Sequence, residues 1–254
     1  RNSGFLNKEN LFSPEPIDKA TILLTHSECY VDKVFYNNLL KKELRLIGLK
    51  PFNYFKKRSL VSAGGTLLAS HFALEKGLAF NLAGGSHHAF RESGAGFCIF
   101  NYIAITINKL LLTKKIKKAL IIDLDVHQGD GNAKIFSANS NVHTASLHCN
   151  ENYPFTKLNS DYDVGLKKGT GDKIYIYMLE KTLEKLETLT FDIVFYIGGV
   201  DVHYLDRLGL LNLTSKGLMI REMRIIEFIK KKNVPIVVTL GGGYSDNLKF
   251  LANL

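Results

Sequence analysis

The segment IIDLDVHQGDG, residues 121–131, runs from an apolar, strand-like sequence directly into three acids and a histidine. Residues two apart in a strand point the same way, so Asp123, Asp125 and His127 are predicted to project from one side. Buried carboxylates without a partner are energetically costly, so the end of this strand needs a partner for its charges. A divalent metal ion is the simplest partner; an N-capping Asp followed by a surface His is the alternative.

Similar apolar runs recur along the chain and alternate with helix-like stretches. Their near-continuous apolar character is typical of parallel strands that are covered on both faces. The pattern predicts an α/β fold, a single three-layer domain with a mostly parallel central sheet flanked by helices. The predicted strands are Ile22–Leu24, Leu78–Leu82, Ala119–Leu124, Val142–Leu147, Ile193–Ile197 and Pro235–Leu240. The predicted helices are Gly64–Lys76, Ile99–Leu112, Gly171–Leu186 and Ser215–Lys231, with Thr170 and Thr214 capping the last two.

Composition limits the classes of protein to consider. The chain has 254 residues, of which 46% are hydrophobic, and a formal net charge of +9. No apolar run approaches the ~18 residues that span a bilayer, so we predict no membrane span. The basic residues form short runs beside helix-like stretches without a nucleic-acid motif, so we do not expect direct nucleic-acid binding. Three scattered cysteines without C-x-x-C spacing favour a reducing compartment, which we take to be the cytoplasm.

Ligands of doubly wound sheets bind beyond the carboxyl ends of the strands, so the residues after each predicted strand are the most informative. His87 and His88 follow the second predicted strand, Asp201 follows the fifth, and Tyr244 ends a glycine triplet after the sixth. The paired histidines are interpreted as metal ligands or acid–base groups, with an incidental polar loop as the alternative. Two carboxylates and one imidazole leave a fourth position for water, as a catalytic zinc site requires. Together these groups predict metal-assisted hydrolysis of an amide or ester.

Four motifs stand out together: GGSHHA at 84–89, GAGFC at 94–98, DLDVHQGDG at 123–131 and GGGY at 241–244. In these motifs and their order the sequence resembles the zinc-dependent histone deacetylases, a family with the arginase/deacetylase fold. The segment DRLG at 206–209 and the Tyr153-Pro154 pair make the chain most similar to the class IV branch, the histone deacetylase 11 type. The resemblance implies one catalytic domain over residues 1–254, in which we find no counterpart of the family's additional first strand and His-Pro loop.

The resemblance also implies roles for individual residues. The family's metal ligands fall on Asp125, His127 and Asp201, for one Zn²⁺ per chain with Fe²⁺ as the alternative ion. The catalytic set comprises the tandem histidines, the carboxylates that orient them and the tyrosine that stabilises an oxyanion: His87, His88, Asp123, Asp130 and Tyr244. The acyl-lysine channel falls on Gly96, Phe97 and Tyr153. By analogy, a structural K⁺ ion would involve Asp123, Asp125, His127, Ser146 and Leu147.

The implied function is hydrolysis of N-acyl-lysine amides in a protein or peptide, with His88 as general base and His87 in an electrostatic role. Two alternatives stay open. One is an amidohydrolase of acetylpolyamines or other small molecules, which uses the same chemistry. The other is a catalytically silent, deacetylase-like binding module, although every expected catalytic position is filled. A structural role is assigned to His26.

Overall fold

Six strands form the centre of the molecule, for which a computed structural model describes residues 7–49 and 53–247. The strands are β1 (Leu78–Asn81), β2 (Ala119–Asp123), β3 (Val142–Cys149), β4 (Tyr162–Leu166), β5 (Ile193–Gly198) and β6 (Ile236–Leu240). They lie in the order β1-β6-β5-β2-β3-β4, and each neighbouring pair is parallel. This sheet confirms the predicted α/β architecture.

Helices cover both faces of the sheet. They are α1 (Lys19–Ile22), α2 (Glu28–Phe35), α3 (Lys41–Ile47), α4 (Asn53–Lys76), α5 (Tyr102–Leu112), α6 (Asp130–Phe136), α7 (Asp172–Leu186) and α8 (Ser215–Lys232). Alternate residues of β2 face opposite sides, as the pleat requires. Leu120 and Ile122 pack with α7 and α8 in one core, while Ile121 packs with α4 and α5 in the other. Among the described residues, no helix is both long and apolar enough to cross a membrane.

The strand order determines which loops meet. Strand β5 lies between β6 and β2, so the segments that follow β2, β5 and β6 leave the same edge of the sheet side by side. The last paired residues of β2 and β5 are Asp123 and Ile197. The topology therefore brings together the three segments that carry Asp125, Asp201 and Tyr244.

The predicted strand Ile22–Leu24 is wrong. Ile22 ends α1, a single helical turn that Asp18 caps by accepting the Thr21 N–H (2.7 Å). Ile22 is fully buried against the helices, so its apolar character reflects a buried turn. Three apolar residues in a row do not distinguish a strand from a buried helix end.

The strand β4 was not predicted, because its sequence YDVGL alternates polar and apolar residues at the edge of the sheet. Helix α4 begins at Asn53, well before the predicted start at Gly64. Gly64 lies inside the helix because the backbone at Glu15 packs directly against it. A Cβ at this position would stand 1.9 Å from the Glu15 carbonyl oxygen.

One of the two predicted helix caps is correct. Thr214 caps α8 by accepting the Gly217 N–H (3.1 Å). Thr170 does not cap α7, since its hydroxyl donates to the Lys167 carbonyl (2.7 Å) and Gly171 occupies the cap position.

Candidate active site

Three predicted metal ligands lie together beyond the ends of β2 and β5. The ligand atoms of Asp125, His127 and Asp201 all lie within 4.8 Å of one another, and all three residues are buried. His127 Nδ1 is 2.9 Å from Asp125 Oδ1 and 3.3 Å from Asp201 Oδ2. The Val126 N–H donates to Asp201 Oδ1 (3.0 Å) and so fixes the orientation of that carboxylate. The loop after β2 thus supplies two of the donors and the loop after β5 supplies the third.

The donor set fits a divalent cation. Asp201 is 0% exposed, yet its Oδ2 atom accepts no hydrogen bond within the described part of the chain. A buried carboxylate oxygen in this state is costly unless a cation completes it. Gly242 lies directly beside this oxygen, and a Cβ at that position would stand 1.9 Å from it. A carboxylate–imidazole–carboxylate set of this kind is typical of zinc sites with an open position.

Charge and burial compete strongly within this cluster. Burial, together with the Asp125 carboxylate, raises the pKa of Asp201 to about 7. Burial opposes ionisation of Asp125 too, but His87 and His127 hold the pKa of Asp125 below its ordinary range. Burial alone would lower the pKa of His127, whereas the nearby carboxylates of Asp125 and Asp201 raise it to about 9. In the absence of a cation the cluster therefore retains protons, which metal binding would displace.

The two tandem histidines are each held by a carboxylate. His87 Nδ1 donates to Asp123 Oδ2 (2.7 Å), and His88 Nδ1 donates to Asp130 Oδ1 (2.7 Å). The centroids of the two imidazole rings are 4.0 Å apart, and the His87 Nε2 atom lies 3.9 Å from Asp125 Oδ1. With Nδ1 engaged as donor, Nε2 is the nitrogen of each ring that is left for proton exchange in the pocket.

The environments of the two histidines differ. Burial opposes a charge on His87, but the carboxylates of Asp123 and Asp125 raise its pKa well above the ordinary value. Burial, reinforced by the adjacent His87, lowers the pKa of His88 to about 4. Protonation is therefore favoured on His87 over His88, so His88 is the better proton acceptor of the pair.

Tyr244 reaches the same pocket from the loop after β6. Its ring centroid lies 6.3 Å from that of His127. The backbone of Tyr244 is fixed at both polar groups: its N–H donates to Asp206 Oδ2 (2.6 Å), and its carbonyl accepts from Arg207 Nε (2.9 Å). Burial and the nearby carboxylates raise the pKa of Tyr244, so the phenol keeps its proton and can donate a hydrogen bond.

An apolar channel leads from the surface to His127. Its volume is about 270 Å³, and its walls include Gly96, Phe97 and Tyr153, the three residues that sequence assigned to a substrate channel. Tyr153 packs edge-on against His88 at 4.9 Å between ring centroids. Gly96 has φ +48° and a Cβ there would stand 2.5 Å from the His88 ring, so a larger residue would block the channel. Phe97 is 51% exposed at the mouth.

A second cavity of about 240 Å³ shares His88 and Tyr244 with this channel. It is lined by Asp125, His87, Cys98 and Tyr244 and by Arg58 of α4. Burial raises the pKa of the Cys98 thiol, so this cysteine stays uncharged.

Several residues of the site were not found from sequence. The end of α3 forms part of the channel wall through Ile47 and Gly48, and Leu208 forms another part. The sequence feature that points to the end of α3 is Gly48, which ends the helix with a φ of +73°. Of the residues assigned to potassium, Ser146 lies opposite Asp123 in the sheet, and its hydroxyl is 3.0 Å from His148 Nδ1. The potassium site of Asp123, Asp125, His127, Ser146 and Leu147 stays a prediction.

Comparison with known proteins identifies the family. A family model described as the histone deacetylase domain matches residues 1–251. An uncharacterized protein of Picosynechococcus is 41% identical over 246 residues, which cover 96% of this chain and 82% of that protein. Histone deacetylase 2 of Arabidopsis thaliana is 31% identical, and the match covers 96% of this chain and 65% of that enzyme. The acetoin utilization protein AcuC of Staphylococcus aureus is 30% identical, with 96% and 69% covered.

Solved structures agree with this result. A histone deacetylase homologue crystallised with SAHA matches with a TM-score of 0.81 and 29% identity, over 94% of this chain and 69% of that chain. The homologue from Aquifex aeolicus matches equally well in TM-score, at 27% identity over the same shares. The chain therefore belongs to the histone deacetylase family, a family of amide hydrolases.

Proposed function

We propose that this member of the histone deacetylase family hydrolyses N-acyl-lysine amides with one Zn²⁺ ion held by Asp125, His127 and Asp201. The observation that carries the proposal is the buried three-ligand cluster next to an apolar channel, in which Asp201 Oδ2 has no hydrogen-bond partner among the residues that the structure describes. When bound there, a divalent ion polarises the amide carbonyl and lowers the pKa of a water molecule toward ~7. Fe²⁺ is the alternative ion.

His88 is the proposed general base. Attack of water on the carbonyl carbon forms a C–O bond, and the water proton moves to His88 Nε2. The same nitrogen then gives this proton to the lysine amine as the C–N bond breaks. The contact from Nδ1 to Asp130 and the low pKa of His88 favour the neutral, accepting form. Loss of a positioned acid–base group typically lowers the rate by about 10²–10⁴.

His87 and Tyr244 are assigned supporting roles. His87, paired with Asp123, supplies positive charge beside the reacting carbonyl. Tyr244 donates its phenolic proton in a hydrogen bond to the oxygen that becomes negatively charged. The Asp206 and Arg207 contacts to its backbone hold the phenol in place before substrate arrives. Fixed donors of this type are among the largest contributions to acyl-transfer catalysis.

The proposed substrate class follows from the channel. Its aromatic and aliphatic walls suit an apolar, unbranched side chain such as the methylene stem of lysine. We further propose class IV membership from the DRLG segment and the Tyr153-Pro154 pair, and a reducing, cytoplasmic location from the three free cysteines. The structural K⁺ ion is proposed by analogy alone.

Turnover and metal content test the proposal together. Acyl-lysine peptides from acetyl to myristoyl and acetylated polyamines are offered to apo protein and to protein with one equivalent of Zn²⁺. Peptide hydrolysis that depends on Zn²⁺ and is lost in His88→Ala is the expected result. Hydrolysis of acetylpolyamines alone would favour a small-molecule amidohydrolase. Stoichiometric Zn²⁺ without any turnover would favour a silent binding module.

A further inference from the structure

A buried arginine side chain contacts the segments that carry the proposed metal ligands and has no role in the chemistry proposed above. Arg221 of α8 is 1% exposed and is among the largest fully buried side chains of the described residues. It occupies the face of α8 that is otherwise apolar, with Leu218, Ile225 and Phe228 as its buried neighbours along the helix. A leucine would suit this position by pattern. Because burying a guanidinium is costly, its contacts must compensate.

The guanidinium contacts two main-chain carbonyls. Its Nη1 atom donates to the Gly199 carbonyl at 2.7 Å and to the Leu124 carbonyl at 3.2 Å. Its opposite edge, formed by Nε and Nη2, donates to Glu222 Oε1, with 2.9 Å for the Nε contact. Tyr196 of β5 donates its hydroxyl to the same carboxylate, at 2.8 Å and 2.9 Å. Glu222 therefore fixes the plane of the guanidinium.

Both carbonyls belong to the segments that carry metal ligands. The pairing of β2 with β5 ends at Asp123 and Ile197, followed by one contact from the Leu124 N–H to the Ile197 carbonyl (3.0 Å). Leu124 directly precedes Asp125, and Gly199 comes two residues before Asp201. Arg221 Nη1 thus joins the backbones of the two segments just where the regular ladder stops.

We propose that Arg221 is a positioning residue, which sets the separation of Asp125 and Asp201 through the carbonyls of Leu124 and Gly199. The inference rests on the proposed metal-dependent function. The Val126 N–H also links the two segments, but it contacts the Asp201 side chain, whereas Arg221 contacts the main chain of both. A planar, rigid fork suits this task better than the flexible ammonium of lysine.

Zinc affinity of the apo protein is the readout, measured by competition with a chromophoric chelator. Groups that orient metal ligands typically contribute about 10- to 100-fold in metal affinity. We expect a loss of about this size in Arg221→Met and Arg221→Lys, because lysine keeps the charge but not the fork. Glu222→Gln, at a half-exposed carboxylate, should lose a smaller factor.

Two controls on the same helix separate positioning from stability. Phe228→Leu weakens the buried face of α8, where the Phe228 ring stacks on Phe191 at 6.2 Å between ring centroids. Arg224→Met removes an arginine that pairs with Glu180 and Glu227 at the surface. Both should bind Zn²⁺ with wild-type affinity, even where their apo unfolding free energy falls as much as in the Arg221 variants.

The outcomes distinguish this inference from the proposed function. Wild-type affinity in the folded Arg221 variants, alongside a wild-type protein that binds one Zn²⁺, overturns the positioning role alone. A wild-type protein that binds no stoichiometric Zn²⁺ overturns both. If Arg221→Met does not fold, Arg221→Lys and Glu222→Gln decide. An equal loss of zinc affinity in Phe228→Leu would show a merely structural effect and also overturn the inference.

Discussion

The stability of the apo protein should depend on the protonation of His26, a histidine that packs against the rings of Tyr30 and Phe100. His26 is 1% exposed, and both ring nitrogens are engaged. Nδ1 donates to the Phe90 carbonyl (2.8 Å), while Nε2 accepts the Asn101 N–H (3.0 Å). A proton on Nε2 would break the second bond. Burial is the main reason that the pKa of His26 falls from 6.5 to about 4.

The sign and size of the effect follow from linkage. Between pH 6.5 and about 4 the unfolded chain carries a proton on His26 that the folded protein excludes. The free energy of unfolding therefore rises with pH across this window. The contribution of His26 is lost as the pH falls from 6.5 to about 4. A shift of about two to three pKa units corresponds to roughly 3 kcal/mol. His88 and His148, whose pKa values burial also lowers to about 4, act with the same sign.

Urea unfolding in the presence of a chelator, from pH 7 to pH 4, measures this dependence on the apo protein. His26→Gln should flatten the pH dependence by up to about 3 kcal/mol over the window. Phe100→Leu, which alters a buried ring 5.2 Å from His26 but does not titrate, is the matched control and should keep the wild-type dependence. Parallel curves for the wild type and His26→Gln would refute the argument.

Further predictions concern the active site. Tyr244→Phe should lower kcat by about 10²–10³ in a steady-state assay with stoichiometric Zn²⁺ retained, and wild-type turnover would remove the phenol from the mechanism. Asp201→Asn should abolish stoichiometric Zn²⁺ binding yet raise the apo melting temperature at pH 7.5, because it removes a buried charge whose pKa is raised to about 7. Gly242→Ala should weaken Zn²⁺ binding in a chelator competition, since its Cβ would stand 1.9 Å from Asp201 Oδ2; unchanged affinity would contradict the described geometry.

The part of the fold that sequence predicts well is the part where the strands are buried on both faces. Strand β2 is apolar up to its last residue, Asp123, so its position and the edge of the sheet at which it ends follow from local pattern. Edge strand β4 and helix α1 do not carry such a pattern. The first alternates like a half-exposed strand, and the second is too short for its apolar residues to show a period.

The same contrast applies to the site. The residues proposed for metal binding and proton transfer directly follow strands, so their proximity could be inferred from the rule that parallel strands present their carboxyl ends together. Arg221 and the end of α3 reach the site from helices that are distant in sequence, and proximity of that kind has no local signature. For Arg221 a weaker signal was present, namely a cation at a position where the period of α8 requires an apolar side chain.

The balance of charge in the ligand cluster favours a bound cation at this site. Within the described residues, Asp123, Asp125 and Asp201 are buried within hydrogen-bond distance of two imidazoles, those of His87 and His127. Packing alone gives no reason to retain three buried carboxylates. A neutral residue in place of Asp201 would remove the burial cost and the repulsion by Asp125 that together raise its pKa. A divalent cation offsets the excess negative charge and supplies a partner for Asp201 Oδ2. The stability sacrificed in the apo protein is therefore best explained by selection for metal binding.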